Sequence, residues 1–213
     1  MAWVVGILLL IAAYLLGSLP TGYLVTRAAK GIDIREHGSG NTGATNVLRV
    51  VGKRAGLTVL VIDLLKGLSA VLLVQKILTA FYANSPDWFN TLPWWMTAAG
   101  LLAIMGHSRS IWLNWTGGKS AATGLGVLLA LAWPVGLGAA GVFAAVVVLS
   151  RIVSLGSITA AISAVVMMAA MQQPFPYILL GIAGSLYVIL RHRTNIQRLL
   201  SGTEPRLGSR STS

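Results

Sequence analysis

AGLTVLVIDLLKGLSAVLLVQKILTA, residues 55–80, decides the fold. The run exceeds the roughly 20 apolar residues that a helix needs to cross a bilayer. Its only charges are Asp63, Lys66 and Lys76. Asp63 and Lys66 are three apart, so a helix sets them on one face. Counted from Ala55 at about 1.5 Å per residue, they sit roughly 12–17 Å along the axis. Charges inside a membrane usually face the bundle interior and pair. A local ion pair and a part in a site are both open for these two.

The rest of the chain reads the same way. Of 213 residues, 55% are hydrophobic and only 10% are charged, where a soluble domain carries about 25% charged residues. Further apolar segments fall at 3–26, 93–106, 121–132, 135–149, 154–171 and 174–190. The segments at 121–132 and 135–149 are also compatible with one helix interrupted at Trp133-Pro134, since proline removes a donor and clashes with the preceding turn. The N-terminal segment has no basic n-region and no A-x-A-like cleavage site, so it is expected to be a retained span. With no cysteine in the chain, disulfides, cysteine nucleophiles and thiolate metal sites are excluded.

Charge chooses between six and seven spans. Seven spans place Arg27, Lys30, Arg35, Arg49, Lys53, Arg54, Arg109, Lys119, Arg151, Arg191, Arg193, Arg198, Arg206 and Arg210 on one side, which is 14 of the 16 basic residues. Lys66 and Lys76 lie within the second span, and the other side receives none. The positive-inside rule then puts the N-terminus outside and the C-terminus in the cytoplasm. The expected architecture is an all-α polytopic bundle of about seven transmembrane helices. It forms one domain over residues 1–202, and a polar cytoplasmic tail at 203–213 is expected to fray. The basic tail abuts a span, so its partner is expected to be anionic lipid headgroups rather than nucleic acid.

The same topology gathers the unusual polar residues on the cytoplasmic face. Gly38-Ser39-Gly40-Asn41-Thr42-Gly43-Ala44-Thr45-Asn46 is too polar for a core. Backbone N–H groups exposed at glycines, with hydroxyls and amides beside them, suit a phosphate. The ordinary alternative is a Gly-rich turn in which Thr45 or Asn46 caps a short helix running toward Val51. Gly117-Gly118-Lys119-Ser120 has the end of a Walker A loop, but Leu113 stands where the first glycine belongs, so nucleotide hydrolysis is not expected. Arg191-His192-Arg193-Thr194-Asn195 opens the tail. Carboxylates are scarce in these loops: Asp33, Glu36 and Glu204. A cation-rich, carboxylate-poor face suits anionic substrates and electrostatic catalysis. The tryptophans mostly flank spans and fit an interfacial belt.

Five motifs in order carry a resemblance. They are Gly17-Ser18-Leu19-Pro20-Thr21-Gly22-Tyr23; the 38–46 loop with Arg49; Asp63-x-x-Lys66-Gly67; Gly106-His107 with Gly117-Gly118-Lys119; and His192-x-x-Asn195-Ile196-x-Arg198-Leu199-Leu200-x-Gly202-x-Glu204. Together they closely resemble the bacterial membrane acyl-phosphate:glycerol-3-phosphate acyltransferases of the PlsY type, over essentially the whole chain.

The resemblance implies a seven-span inner-membrane enzyme that takes the first acylation step of phospholipid synthesis. It would move a fatty acyl group from acyl phosphate to glycerol 3-phosphate, giving lysophosphatidate and phosphate. It also implies coupling to whatever enzyme makes the acyl phosphate, and no metal or other cofactor. By matching positions, Ser39, Arg49, Lys119, His192 and Asn195 would form the polar catalytic set. Gly40, Asn41, Gly43, Thr45 and Asn46 would shape the phosphate loop, and His107, Gly117 and Gly118 would complete the binding site. The chain departs from the family's usual Gly-Gly-Lys-Gly-Val-Ala-Thr at Ser120, and has Ser108-Arg109-Ser110 where Phe-Pro is expected. Ser120 implies a position that needs less backbone freedom than glycine gives, or an altered loop. Lys119 is kept, so activity is expected.

Two other classes are compatible with the residues alone: a transporter or channel for a phosphorylated solute, with residues 38–49 as a re-entrant loop, and a non-catalytic membrane assembly protein.

Overall fold

The computed structural model describes residues 2–82 and 88–208, so Arg210 and the end of the tail lie outside the described residues. Ten α-helices make up the described chain: α1 (Ala2–Ser18), α2 (Thr21–Lys30), α3 (Ala44–Val50), α4 (Lys53–Tyr82), α5 (Trp88–Ser108), α6 (Ala121–Leu131), α7 (Trp133–Ser150), α8 (Val153–Ala170), α9 (Phe175–Arg191) and α10 (Arg193–Leu200). The only extended pairing among the described residues is a bridge between Ser110 and Thr116.

Among the described residues, four helical stretches are long and apolar enough to cross a membrane: Trp3–Lys30, Lys53–Tyr82, Trp133–Ser150 and Val153–Ala170. A fifth follows if α9 and α10, bent by 62° at His192, are taken as one. The first apolar segment is not continuous. It breaks between α1 and α2 at Leu19-Pro20, where proline lacks the donor a helix requires. The third begins at Trp88 rather than at residue 93, and holds Pro93 inside the helix. α6 and α7 are separate helices. The chain becomes extended at Ala132 (φ −151°), and Pro134 sits in the first turn of α7, where no backbone donor is needed.

The 30-residue α4 is central, packing against α1, α2, α3, α5 and α6. Close helix approach rests on absent side chains. A Cβ at Gly17 or Gly106 would collide with the facing backbone of α5 or α1, and one at Gly126 would collide with Leu64 of α4. One apolar cluster joins Val71, Ile104, Val127, Val135, Met168 and Leu180 from six helices. A second joins Ala13, Val74, Leu78, Ala99 and Ala103. Trp88 belongs to that second cluster and is buried, unlike the exposed Trp3, Trp94, Trp112, Trp115 and Trp133.

Asp63 and Lys66 do pair: Lys66 Nζ lies 2.8 Å from Asp63 Oδ1, with the residues 4% and 1% exposed. Lys66 also donates to Leu19 O at 2.9 Å, a carbonyl at the α1–α2 break that accepts from Thr21 N as well. His107 Nδ1 stands 3.5 Å from Asp63 Oδ1. The buried charges therefore tie α4 to both α1 and α5.

Candidate functional site

Three segments build the site. The first is the 33–46 loop. Ile34, fully buried with Val47 and Val59, anchors it to α3 and α4. Gly38 and Gly40 take left-handed φ of 61° and 68°. A Cβ at Gly38 would also strike the Asn46 side chain.

Asn46 organises the loop from inside. Its Oδ1 accepts from Ser39 N at 2.9 Å, and its Nδ2 donates to His37 O at 3.0 Å, Asn41 O at 2.9 Å and, more weakly, Ile34 O at 3.4 Å. Asn41 Oδ1 accepts from Gly43 N at 2.8 Å. Neither Thr45 nor Asn46 caps α3. Gly43 occupies the cap, and both residues lie in the first turn, because the Asn46 amide is already committed to the loop. The Ser39, Gly40 and Gly43 amides are likewise taken up internally. A cleft of about 300 Å³ separates this loop from Thr116 and Gly117, lined also by Asp33, Arg35, Gly40 and Thr42. Asp33 and Arg35 pair at 2.6 Å, and that hydrogen bond holds the Asp33 carboxyl below its ordinary range.

The second segment joins α5 to α6. Tyr14 donates to Arg109 O at 2.7 Å and Ser110 to Ser18 O at 2.6 Å, pinning the segment to α1. Gly118 N donates to His107 O at 3.1 Å, and the His107 ring fills the space where a Gly118 Cβ would go. Arg191 Nη2 donates to Gly117 O at 3.2 Å and Gly118 O at 3.1 Å. Lys119 is thus delivered by a backbone held from both sides. Ser120 remains left-handed (φ 62°) despite its side chain, and its Oγ donates to Ile104 O at 2.8 Å.

The third segment is the α9–α10 corner with the tail. His192 sits at the bend, with Nδ1 2.7 Å from Val188 O. A carbonyl only accepts, so Nδ1 carries the hydrogen and Nε2 is left as an acceptor. Lys119 Nζ donates to Asn195 Oδ1. Asn195 Nδ2 donates to Glu204 Oε1, which also accepts from Ser154 at 2.7 Å. Arg198 Nε meets Glu204 Oε2 at 2.7 Å. The tail therefore does not fray at once. Gly202 (φ 71°) turns it back, Glu204 is 8% exposed, and Leu207 N donates to Arg151 O at 2.7 Å.

Electrostatics follow from this crowding. Burial lowers the Lys119 ammonium to about 8. Glu204 opposes that shift, while Arg198, Arg191 and Arg49 add to it. Burial takes His192 down to about 4, so its imidazole is neutral near pH 7. Burial opposes ionisation of Glu204, but hydrogen bonds from Ser154, Asn195 and Arg198 outweigh it and hold the carboxyl below its usual value.

The description "Glycerol-3-phosphate acyltransferase" belongs to the family that matches residues 7–202. This chain belongs to that family. A glycerol-3-phosphate acyltransferase from Trichormus variabilis is 57% identical over 209 residues, covering 95% of this chain and 92% of its own. One from Nostoc sp. is 57% identical over 207 residues, covering 94% and 91%. The fold resembles a crystal structure of PlsY, an integral membrane glycerol 3-phosphate acyltransferase, in its glycerol 3-phosphate form. The TM-score is 0.85 at 39% identity, covering 95% of this chain and 96% of that one. The lysophosphatidic acid form matches at TM-score 0.83 and 38% identity, over 95% of each chain.

Among the residues expected in such an acyltransferase, the structure unites Lys119 with Asn195, brings His192 and Arg49 within electrostatic reach of Lys119, and packs His107 on Gly118. Ser39, Gly40, Asn41, Gly43, Thr45 and Asn46 form a separate wall. No hydrogen bond joins that wall to Lys119 among the described residues. Sequence reasoning gave no site role to Glu204, Ser154 or Arg191. The available signal was Glu204 itself, the one carboxylate in a tail of arginines.

Proposed function

We propose that this chain transfers a fatty acyl group from acyl phosphate to sn-glycerol 3-phosphate at the cytoplasmic face of the bacterial inner membrane. The products are lysophosphatidate and phosphate. α1 with α2, then α4, α5, α6, α7, α8 and α9, act as seven spans, with the N-terminus outside. The one-sided distribution of 14 of the 16 basic residues supports that orientation.

The observation that carries the chemistry is the Lys119 ammonium fixed on Asn195 amid Arg49, Arg191 and Arg198. Such a cluster suits two anionic phosphates and a transition state that gathers charge on oxygen. Arg49 and Lys119 hold the phosphate of glycerol 3-phosphate. The 38–46 loop, shaped by Gly40, Asn41 and Gly43, presents the Ser39 hydroxyl to the head of acyl phosphate, and the acyl chain lies among the apolar helices.

The glycerol hydroxyl attacks the acyl carbonyl, and the bond from the carbonyl carbon to the phosphate oxygen breaks. The departing phosphate carries away the hydroxyl proton. His192 is too weak a base to hold that proton near neutrality, but its Nε2 accepts a hydrogen bond and orients the hydroxyl. The supply of acyl phosphate then requires a partner enzyme that phosphorylates or phosphorolyses an activated acyl group.

Purified protein in detergent, given palmitoyl phosphate and labelled glycerol 3-phosphate, should release labelled lysophosphatidate and phosphate in equal amounts. Absence of product, with flux of a phosphorylated solute in proteoliposomes, would overturn the reading. Lys119→Ala and Arg49→Ala should each lower turnover by roughly 100-fold or more while the protein stays folded.

A further inference from the structure

The C-terminal tail contributes a carboxylate to the interior of the site, and nothing in the reaction proposed above uses it. We propose that Glu204 is a positioning residue for acyl transfer: from the tail it fixes Asn195, and through Asn195 it sets the direction of the Lys119 ammonium. The proposal rests on the acyltransferase reading of the site.

The geometry has one consistent assignment. An ionised carboxylate only accepts and an ammonium only donates. Asn195 lies between them, so its Nδ2 must face Glu204 and its Oδ1 must face Lys119. Removing the carboxylate leaves Lys119 as the only charged group that fixes the amide's direction, and loosens the anchor on which the ammonium rests.

Glu204 is in turn held by groups from two other elements: Ser154 at the start of α8 and Arg198 in α10. The turn after α10 adds Thr203 N to Arg198 O at 2.8 Å and Glu204 N to Arg198 O at 3.1 Å, and Leu207 pins the tail to the α7–α8 corner. A surface anchor needs only the Arg198 pair. Burying the second oxygen against Asn195 and Ser154 is explained by the relay to Lys119.

The groups acting on Lys119 are Glu204, Arg198, Arg191 and Arg49, with His192 neutral beside it. Glu204 is the only negative charge in that set. The test measures Lys119 directly, by competitive acetylation of the whole protein with acetic anhydride across pH, read by mass spectrometry. The same samples are assayed with palmitoyl phosphate and glycerol 3-phosphate.

In Glu204→Gln, Lys119 should titrate roughly one unit lower than in the parent. Turnover should fall roughly 10- to 100-fold, with its alkaline limb moving down by the same amount. Glu204→Asp keeps the charge and the Arg198 pair but draws the oxygen away from Asn195. It should keep the parental alkaline limb and lose part of kcat.

Parental titration of Lys119 in Glu204→Gln overturns the proposal, whatever happens to turnover. If Glu204→Gln does not fold, parental turnover in Glu204→Asp overturns it. A parent chain that makes no lysophosphatidate overturns the acyltransferase reading instead, and the labelling still reports whether Glu204 governs Lys119.

Discussion

Ser108 Oγ and Ser120 Oγ lie 2.5 Å apart, buried between the end of α5 and the start of α6. The two hydroxyls hold each other across the join between α5 and α6. Ser120 keeps the left-handed backbone that glycine favours, which costs an L-residue roughly 1–2 kcal/mol. Its hydroxyl recovers this through Ile104 O and Ser108. Ser120→Gly should therefore relieve strain yet leave the buried Ser108 hydroxyl without that partner. A net loss of about 1 kcal/mol is expected in thermal unfolding. Adding Ser108→Ala should restore much of it, giving a coupling of roughly 0.5 kcal/mol or more in a double-mutant cycle. Strict additivity would show that the pair is not a unit.

Asn46 is expected to matter through the loop it holds rather than through contact with substrate. Asn46→Ala removes a partner from Ser39 N and from three carbonyls. A destabilisation of about 2–3 kcal/mol follows from the lost and orphaned bonds. Asn46→Asp is nearly isosteric but cannot donate, and sets a negative charge against those carbonyls and inside the loop proposed to receive a phosphate. It should impair turnover more than Asn46→Ala, with KM for the phosphorylated substrates rising. Equal effects of the two variants would point to lost packing alone.

The long helix over residues 55–80 and the ion pair were legible because apolar length and helical spacing are local properties. Residues 55–80 announce a helix wherever they pack, and Asp63 and Lys66 are one turn apart. The joining of His107 to Asp63 was not legible, since it depends on how α5 crosses α4. The 38–46 loop was recognised by composition, but composition does not distinguish an Asn that caps a helix from one that ties a loop. The contacts of Glu204 were not legible for a similar reason. A lone acid in a basic tail reads as solvated, and only the turn at Gly202 brings it back to Ser154 and Asn195.

The pH dependence has two separate parts. Lys119 titrates at about 8, so a reaction that needs its ammonium should lose kcat/KM as pH rises through 8, tenfold per unit beyond it. His192 acts on stability. Its folded value, about 4, lies below the unfolded value near 6.5, so the unfolded chain takes up the proton first. Its stabilising contribution is complete above 6.5 and declines as pH falls from 6.5 toward 4, by about 1.4 kcal/mol per unit. Glu204 adds in the same sense at still lower pH, because its folded value is depressed and its stabilisation is lost on protonation. Thermal midpoints in detergent between pH 7 and 4.5 should fall accordingly, and His192→Gln should flatten the slope. An unchanged slope in that variant would remove His192 as the cause.

The packing of His107 on Gly118 gives a prediction about how the buried charges reach Lys119. His107 is held by Asp63 on one side, and on the other fills the space where a Gly118 side chain would go. Gly118→Ala has no room without moving the imidazole. Moving the imidazole strains the Asp63 contact and shifts the backbone that carries Lys119. The variant should lose about 1–3 kcal/mol as an overpacking change, and should lose turnover as well. His107→Ala opens a cavity at the same place, so Gly118→Ala in that background should cost much less than in the parent. A favourable coupling of about 1 kcal/mol in stability, with partial recovery of turnover over Gly118→Ala alone, is the expected result. If Gly118→Ala costs the same in both backgrounds, the collision is with the loop backbone and His107 has no part in placing Lys119.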